Sequence, residues 1–252
     1  VPAFSEYAHA LRTVDCRIEE YALRREEQFT LTEEFQECLT PETDIVFLCS
    51  PSNPAGQVIE RELLCRIADR CEEAQIRLVV DECFIDFLPE PSEFTMEKLT
   101  ERYPGLFVVQ AFTKTHAIPG LRLGYGMSSD QKLLERMQQV RQPWSVSTPA
   151  QAAGLAALWD SDRVQEARKL ICRERRRMEE ELRDTGVEVI PSEANFILMY
   201  SSYDLFSLLK DRGILIRDCS NYSGLGKGWY RTAVRRREEN DRLLDAIRQI
   251  CG

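Results

Sequence analysis

The sequence predicts an α/β protein, with a mixed, mostly parallel sheet in a large domain over residues 1–160 and a smaller α+β C-terminal domain over 161–252. Three observations carry that expectation. Short apolar runs at Ile45–Cys49, Ile76–Val80 and Leu106–Val109 alternate with amphipathic and polar stretches. Those runs are apolar at nearly every position, which suits strands covered on both faces. Beyond Gly186 the pattern turns to further strands separated by two helical stretches, the mark of a second lobe.

Taken in order, Ile45-Val-Phe-Leu-Cys49 is bounded by Pro51 and Asn53 and reads as the first strand. Between Ile59 and Ala74, the residues Leu63, Leu64, Ile67, Ala68 and Cys71 recur at helical spacing. Ile76–Val80 and Leu106–Val109 supply the second and third strands. Helices are predicted over Gln131–Val140, Pro149–Trp159 and Asp162–Asp184. The last places Val164, Ala167, Leu170, Ile171 and Met178 inside and Arg173, Arg175, Arg176 and Arg177 outside. With Glu174, Glu179, Glu180 and Glu181 interspersed, the arginines read as a solvated face rather than a nucleic-acid surface. In the second lobe Val187–Ile190, Phe196–Met199, Ile214–Ile216 and Trp229–Val234 read as strands, and Leu205–Leu209 and Glu239–Ile250 as helices.

Charge and composition narrow the partners. Thirty-three Lys and Arg against 42 Asp and Glu give a net charge of −9, unfavourable for binding a phosphate backbone. No apolar run approaches the roughly 18 residues that a membrane span needs. The nine cysteines include no Cys-x-x-Cys pair, and several lie in apolar segments where a thiol acts as a small hydrophobe. Reduced thiols and a cytoplasmic setting are expected. His9 and His116, the only histidines, stand far apart, so no metal site is expected.

In open α/β sheets functional groups gather just beyond the carboxyl ends of strands. Three such ends are polar here. Ser50-Pro-Ser-Asn-Pro-Ala-Gly56 follows the first strand, Asp81-Glu82 the second, and Gln110-Ala-Phe-Thr-Lys114 the third. Each has a bland explanation alone: Asn53-Pro54 starts turns, Asp81 could cap a helix, and Lys114 could be a surface lysine. Together they would bring an amide, an acid and an amine to one crevice. Gly224-Leu-Gly-Lys-Gly228 lacks the spacing and preceding strand of a phosphate-binding loop, and no dinucleotide-binding glycine pattern follows the first strand.

Ser52-Asn-Pro-Ala-Gly56, Asp81-Glu-Cys-Phe-Ile-Asp86 and Thr113-Lys-Thr-His-Ala-Ile-Pro-Gly-Leu-Arg-Leu-Gly-Tyr125 resemble three landmarks of the class I/II aminotransferases. These are fold-type-I enzymes that use pyridoxal 5′-phosphate, and the resemblance covers nearly the whole chain. It is strongest to the histidinol-phosphate aminotransferase branch and, within it, to the threonine-phosphate decarboxylases of cobalamin biosynthesis. The resemblance implies that Lys114 holds the cofactor covalently and later moves a proton. Asp81 would pair with the ring nitrogen, Asn53 with the ring's phenolic oxygen, and Thr113 and Arg122 with the cofactor phosphate. Phe4 aligns with an aromatic residue that stacks on the ring, though it reads equally as a core residue heading a helix. Asn195 resembles a substrate-side asparagine, Arg231 the arginine that takes the α-carboxylate, and Arg217 an arginine that contacts a phosphorylated tail. As charged residues closing strands, the two arginines could also be salt-bridge partners.

Two departures from the family pattern stand out. Phe84 occupies the position of a tyrosine that many aminotransferases direct at the phenolic oxygen, and the wording around it fits the decarboxylases better. Family members also carry a stretch before the segment aligned to Val1, with a glycine-containing loop for the cofactor phosphate, a strand and part of the dimer contact. The expectation is therefore a homodimeric decarboxylase or aminotransferase acting on a phosphorylated amino acid. Its alternative is an incompetent fragment of such an enzyme.

Overall fold

In the computed structural model, which describes residues 1–252, the chain divides into two compact units. One contains Thr32–Ser50 and Ile59–Arg168; the other contains Val1–Leu31, Pro51–Val58 and Lys169–Gly252. The strands are β1 (Ile45–Cys49), β2 (Arg77–Asp81), β3 (Leu106–Ala111), β4 (Gly124–Met127), β5 (Glu188–Ile190), β6 (Phe196–Tyr200), β7 (Arg217–Asp218) and β8 (Trp229–Ala233). The helices are α1 (Ser5–Arg12), α2 (Arg61–Ala74), α3 (Pro91–Phe94), α4 (Phe112–Thr115), α5 (Gln131–Val140), α6 (Thr148–Leu158), α7 (Ser161–Arg183), α8 (Leu205–Lys210) and α9 (Arg237–Cys251).

The first unit is built on a sheet of order β1-β2-β3-β4, parallel through β3 and antiparallel at β4. Leu78, Val79 and Val80 are all buried, as an unbroken apolar run in a central parallel strand should be. Leu63, Leu64, Ile67, Ala68 and Cys71 form the buried stripe of α2, which packs against β2. Gln75, in the left-handed conformation at φ 59°, ends that helix and turns the chain into β2. In register, Cys49 faces Asp81 and Asp81 faces Val109, so β1 and β2 end level while β3 continues two residues further, to Ala111. The ladder runs one step further, with Ser50 N donating to Asp81 O at 3.0 Å and Glu82 N to Val109 O at 2.8 Å. Polar groups are thereby delivered to one end of a rigid sheet.

The second unit carries an antiparallel sheet of order β5-β6-β8-β7. Phe196 to Met199 are buried at every position, and Leu243, Leu244 and Ile247 are the buried stripe of α9. The short strand here is Arg217–Asp218 rather than Ile214–Ile216. Ile214 instead spends its N–H on Leu209 O at 2.9 Å, closing the turn after α8, and Leu215 is exposed.

The charged face of α7 also differs from the expectation. Arg173 and Arg176 are exposed, but Glu174, Arg175 and Glu179 are buried. The cause is a set of partners that replace water. Arg175 Nη1 donates to Ala194 O at 3.1 Å, and the same guanidinium pairs with Glu193. Glu179 Oε1 accepts from Ser192 N at 2.9 Å. Glu174 accepts from Arg177 Nη2 at 2.7 Å and from Asn240 Nδ2 at 3.0 Å, tying α7 to α9. Burial alone would raise the Glu174 carboxyl, but those bonds and the Arg177 and Arg237 charges hold it below its ordinary 4.5.

Replacing Glu174 by Ala removes one partner of Arg177 and one of Asn240 from a buried site, although Arg177 keeps Glu181 and Asp241 and Asn240 keeps Arg235 O. The expected cost is about 2–3 kcal/mol of unfolding free energy. A carboxyl whose folded value is depressed stabilises above its unfolded value and loses that contribution on acidification. Urea unfolding of wild type and Glu174→Ala should therefore differ at neutral pH and converge as the pH falls below 4.5.

Candidate functional site

At the carboxyl ends of the parallel strands, successive residues leave the strand on opposite faces. Asp81, the last residue of β2, is half-buried, and its Oδ1 accepts from Cys83 N at 3.0 Å. Glu82 points into the core, where it accepts from Met96 N at 2.6 Å, Thr95 Oγ1 at 2.7 Å and Gln110 Nε2 at 3.1 Å. Burial raises the Glu82 carboxyl even against those three bonds. Of the two adjacent acids, Asp81 is thus the one the fold leaves accessible, and Glu82 is a structural tie.

Lys114 lies in α4, the single turn that follows β3, and its side chain is exposed. Its Nζ stands 5.3 Å from the centre of the Phe84 ring, which is buried three residues beyond Asp81. The Cys83 thiol registers both groups. Burial pushes it up, the Asp81 carboxylate pushes it further, and the Lys114 ammonium opposes them. An amine and a carboxylate therefore share one electrostatic neighbourhood over an apolar floor.

Thr113 and Arg122 flank the same corner. Ala111 and Gly124 are register partners in β3 and β4, so Thr113 lies two residues beyond that pair and Arg122 two residues before it. Phe112 N donates to Leu123 O at 3.2 Å and closes the loop between them. Arg122 is exposed, takes a left-handed φ of 53°, and steadies its guanidinium on Pro119 O at 3.0 Å.

The remaining candidates belong to the second unit. Asn53 is buried, and its Oδ1 accepts from the Arg231 guanidinium and lies 3.5 Å from the Tyr222 hydroxyl. With both acceptor positions of Oδ1 used by donors, the amide has one orientation and its Nδ2 is the end left to donate outward. The Arg231 guanidinium rests 4.8 Å above the Phe196 ring. Arg217 on β7 is the register partner of Arg231 on β8, so both cations leave the sheet on one face. Arg217 is exposed, donates to Asn221 Oδ1 at 2.9 Å, and stands 5.8 Å from the Tyr222 ring.

Like charges directly opposite one another across a strand pair destabilise it. Neither arginine has a carboxylate within ion-pair distance. The salt-bridge explanation that the sequence allowed for them thus fails. Burial pushes the Cys219 thiol up to about 11 while Arg231 and Arg217 both pull it down, another sign that the two cations share one location.

Phe4 and Asn195 are in the same unit without joining this cluster through any hydrogen bond or ring contact. Phe4 precedes α1, is partly exposed, and meets Tyr7 edge to face at 5.6 Å. Asn195 enters β6 half-buried, with its carbonyl accepting from Val234 N at 2.9 Å. Tyr222 was not evident as a functional candidate, because a lone tyrosine in a Ser- and Gly-containing turn carries no periodic or motif signal.

Relatives share this combination of folds. Residues 1–247 match the family model described as "Aminotransferase class I and II". The chain is 41% identical over 253 residues to a threonine-phosphate decarboxylase from Salmonella typhimurium, covering 99% of this chain and 69% of that protein. It is 35% identical over 208 residues to histidinol-phosphate aminotransferase 2 from Archaeoglobus fulgidus, covering 82% of this chain and 58% of that protein. Among solved structures, the histidinol-phosphate aminotransferase from Clostridium acetobutylicum superposes with a TM-score of 0.94 at 28% identity, over 99% of this chain and 76% of that one. The chain belongs to the class I and II aminotransferases, a family of pyridoxal 5′-phosphate enzymes.

Proposed function

We propose that the protein is a pyridoxal 5′-phosphate enzyme acting on a phosphorylated amino acid, with decarboxylation of L-threonine O-3-phosphate as its reaction. The observation that carries this reading is the pair Arg217 and Arg231, facing one another with no protein anion to neutralise them. Two adjacent cations suit a substrate with two anionic ends, a carboxylate and a phosphate. Guanidinium groups match the oxygens of both in forked geometry. The 41% identity to a threonine-phosphate decarboxylase favours decarboxylation, while relatives that are histidinol-phosphate aminotransferases keep transamination as the second reading.

The donor set fits the cofactor. Lys114 offers an exposed amine, Asp81 a half-buried carboxylate, and Phe84 an apolar surface beneath the amine. When bound, pyridoxal phosphate supplies an electron sink for the pair released when a bond to the substrate Cα breaks. Asp81 keeps the ring nitrogen protonated through a charge-assisted bond of about 1.5–3 kcal/mol. Thr113 and Arg122 hold the cofactor phosphate, and Asn53 donates from Nδ2 to the phenolic oxygen. Phe4 stacks on the ring, and Asn195 faces the substrate. Arg231 orients the α-carboxylate, and Arg217 binds the phosphate. In decarboxylation the Cα–carboxylate bond breaks, CO2 leaves, and Lys114 Nζ delivers one proton to Cα to give 1-amino-2-propanol phosphate. A homodimer in the cytoplasm is the assembly and setting that go with this reading.

Two outcomes test it. With pyridoxal phosphate present, CO2 should be released from L-threonine phosphate and not from L-threonine. Formation of a keto product from histidinol phosphate and 2-oxoglutarate, without CO2 from threonine phosphate, favours the second reading instead. Arg217→Ala should raise KM for the phosphorylated substrate by roughly tenfold or more, the scale of one lost charge-assisted bond, with kcat much less affected.

A further inference from the structure

We infer that Tyr222 is a positioning residue for anion recognition, its ring backing Arg217 and its hydroxyl fixing the amide of Asn53 that also tethers Arg231. This rests on the reading above for the roles of the arginines and goes beyond it, since Tyr222 lies outside the three segments that carry the family resemblance. Two groups meet at this side chain, and a third is tied to one of them. The Arg217 guanidinium stands 5.8 Å from the ring centre, and Asn53 Oδ1 lies 3.5 Å from the hydroxyl. The Arg231 guanidinium donates to the same Oδ1.

Tyr222 can act on Arg217 and Asn53 because it is itself held. It packs against a buried cluster of Phe29, Ala55, Ile190, Leu198, Cys219 and Trp229. Its backbone N–H donates to Cys219 O at 3.0 Å, and Leu225 N donates to Tyr222 O at 3.1 Å. Ser220 N donates to Asp218 Oδ1 at 2.8 Å, and Cys219 N to Trp229 O at 2.9 Å, so the turn is pinned to β7 and β8 on both sides. A ring fixed in this way reduces the freedom that the Arg217 guanidinium would otherwise have to lose on binding an anion. The electron-rich ring face also offsets part of the charge at Arg217. The hydroxyl has a separate task. By donating to Oδ1 it opposes rotation of the Asn53 amide, keeping the acceptor toward Arg231 and Nδ2 outward.

The experiment separates ring from hydroxyl. Calorimetric titration with O-phospho-L-threonine and with inorganic phosphate compares wild type, Tyr222→Phe and Tyr222→Leu. Phosphate affinity should stay near wild type in Tyr222→Phe and fall about three- to fivefold in Tyr222→Leu, the scale of one exposed cation–ring contact. O-phospho-L-threonine, which also engages Arg231, should weaken in both variants, with the phenylalanine variant losing roughly fivefold for one hydrogen bond. Thermal melts accompany each titration, because a purely structural tyrosine lowers Tm without separating the two probes. Equal affinities of all three proteins for both probes overturn the inference, as does an equal loss for both probes in both variants. Absence of phosphate binding by wild type also overturns it. The reading above fails separately, if wild type binds both anions yet releases no CO2 from O-phospho-L-threonine in the presence of pyridoxal phosphate.

Discussion

An unneutralised pair of charges governs the second unit. Arg217 and Arg231 are held opposite one another by the β7–β8 register, and neither has a carboxylate within ion-pair distance. A short two-residue strand would gain from a neutral or opposite-charge pair at that position, so the fold retains a local electrostatic cost. The surroundings limit that cost without cancelling the charge. Phe196 and Tyr222 present ring faces to the guanidinium groups, while Asn53 and Asn221 accept from them as neutral dipoles. Such partners leave most of the positive field available to an incoming anion.

The first unit solves a different problem. Its parallel register brings Asp81 to the end of β2 and starts α4 directly after β3, which places a carboxylate and an amine around Phe84. Glu82 shows how the sheet discriminates between neighbouring acids. The alternation of the strand turns it inward, where Thr95, Met96 and Gln110 satisfy it, while Asp81 remains accessible. Site geometry here follows from strand alternation and from the parallel register of β1, β2 and β3.

Much of this was legible in the sequence, and the exceptions have physical causes. Runs such as Leu78-Val-Val80 are buried on both faces and announce themselves as parallel strands. Asp81 stands out because it closes such a run, and Lys114 because it lies in the turn that follows one. Gly124-Tyr-Gly-Met127 gives no such signal, since edge strand β4 is largely exposed and needs no apolar pattern; its pairing comes from β3. The burial of Glu174, Arg175 and Glu179 is not legible because hydrophobic patterning treats every charge as solvated. Their burial depends on Ser192, Glu193, Ala194 and Asn240, whose proximity is a tertiary fact. Tyr222 escaped for a related reason: its meaning lies in contacts to Asn53 and Arg217, one of them 169 residues away.

The most direct test of the central claim is covalent. The protein is mixed with pyridoxal 5′-phosphate, reduced with borohydride, digested and mapped by mass spectrometry. Family membership and the Asp81–Phe84–Lys114 arrangement predict one stable phosphopyridoxyl adduct, on Lys114 and suppressed by Asp81→Ala. Unmodified Lys114, or labelling spread evenly over the surface lysines, contradicts it.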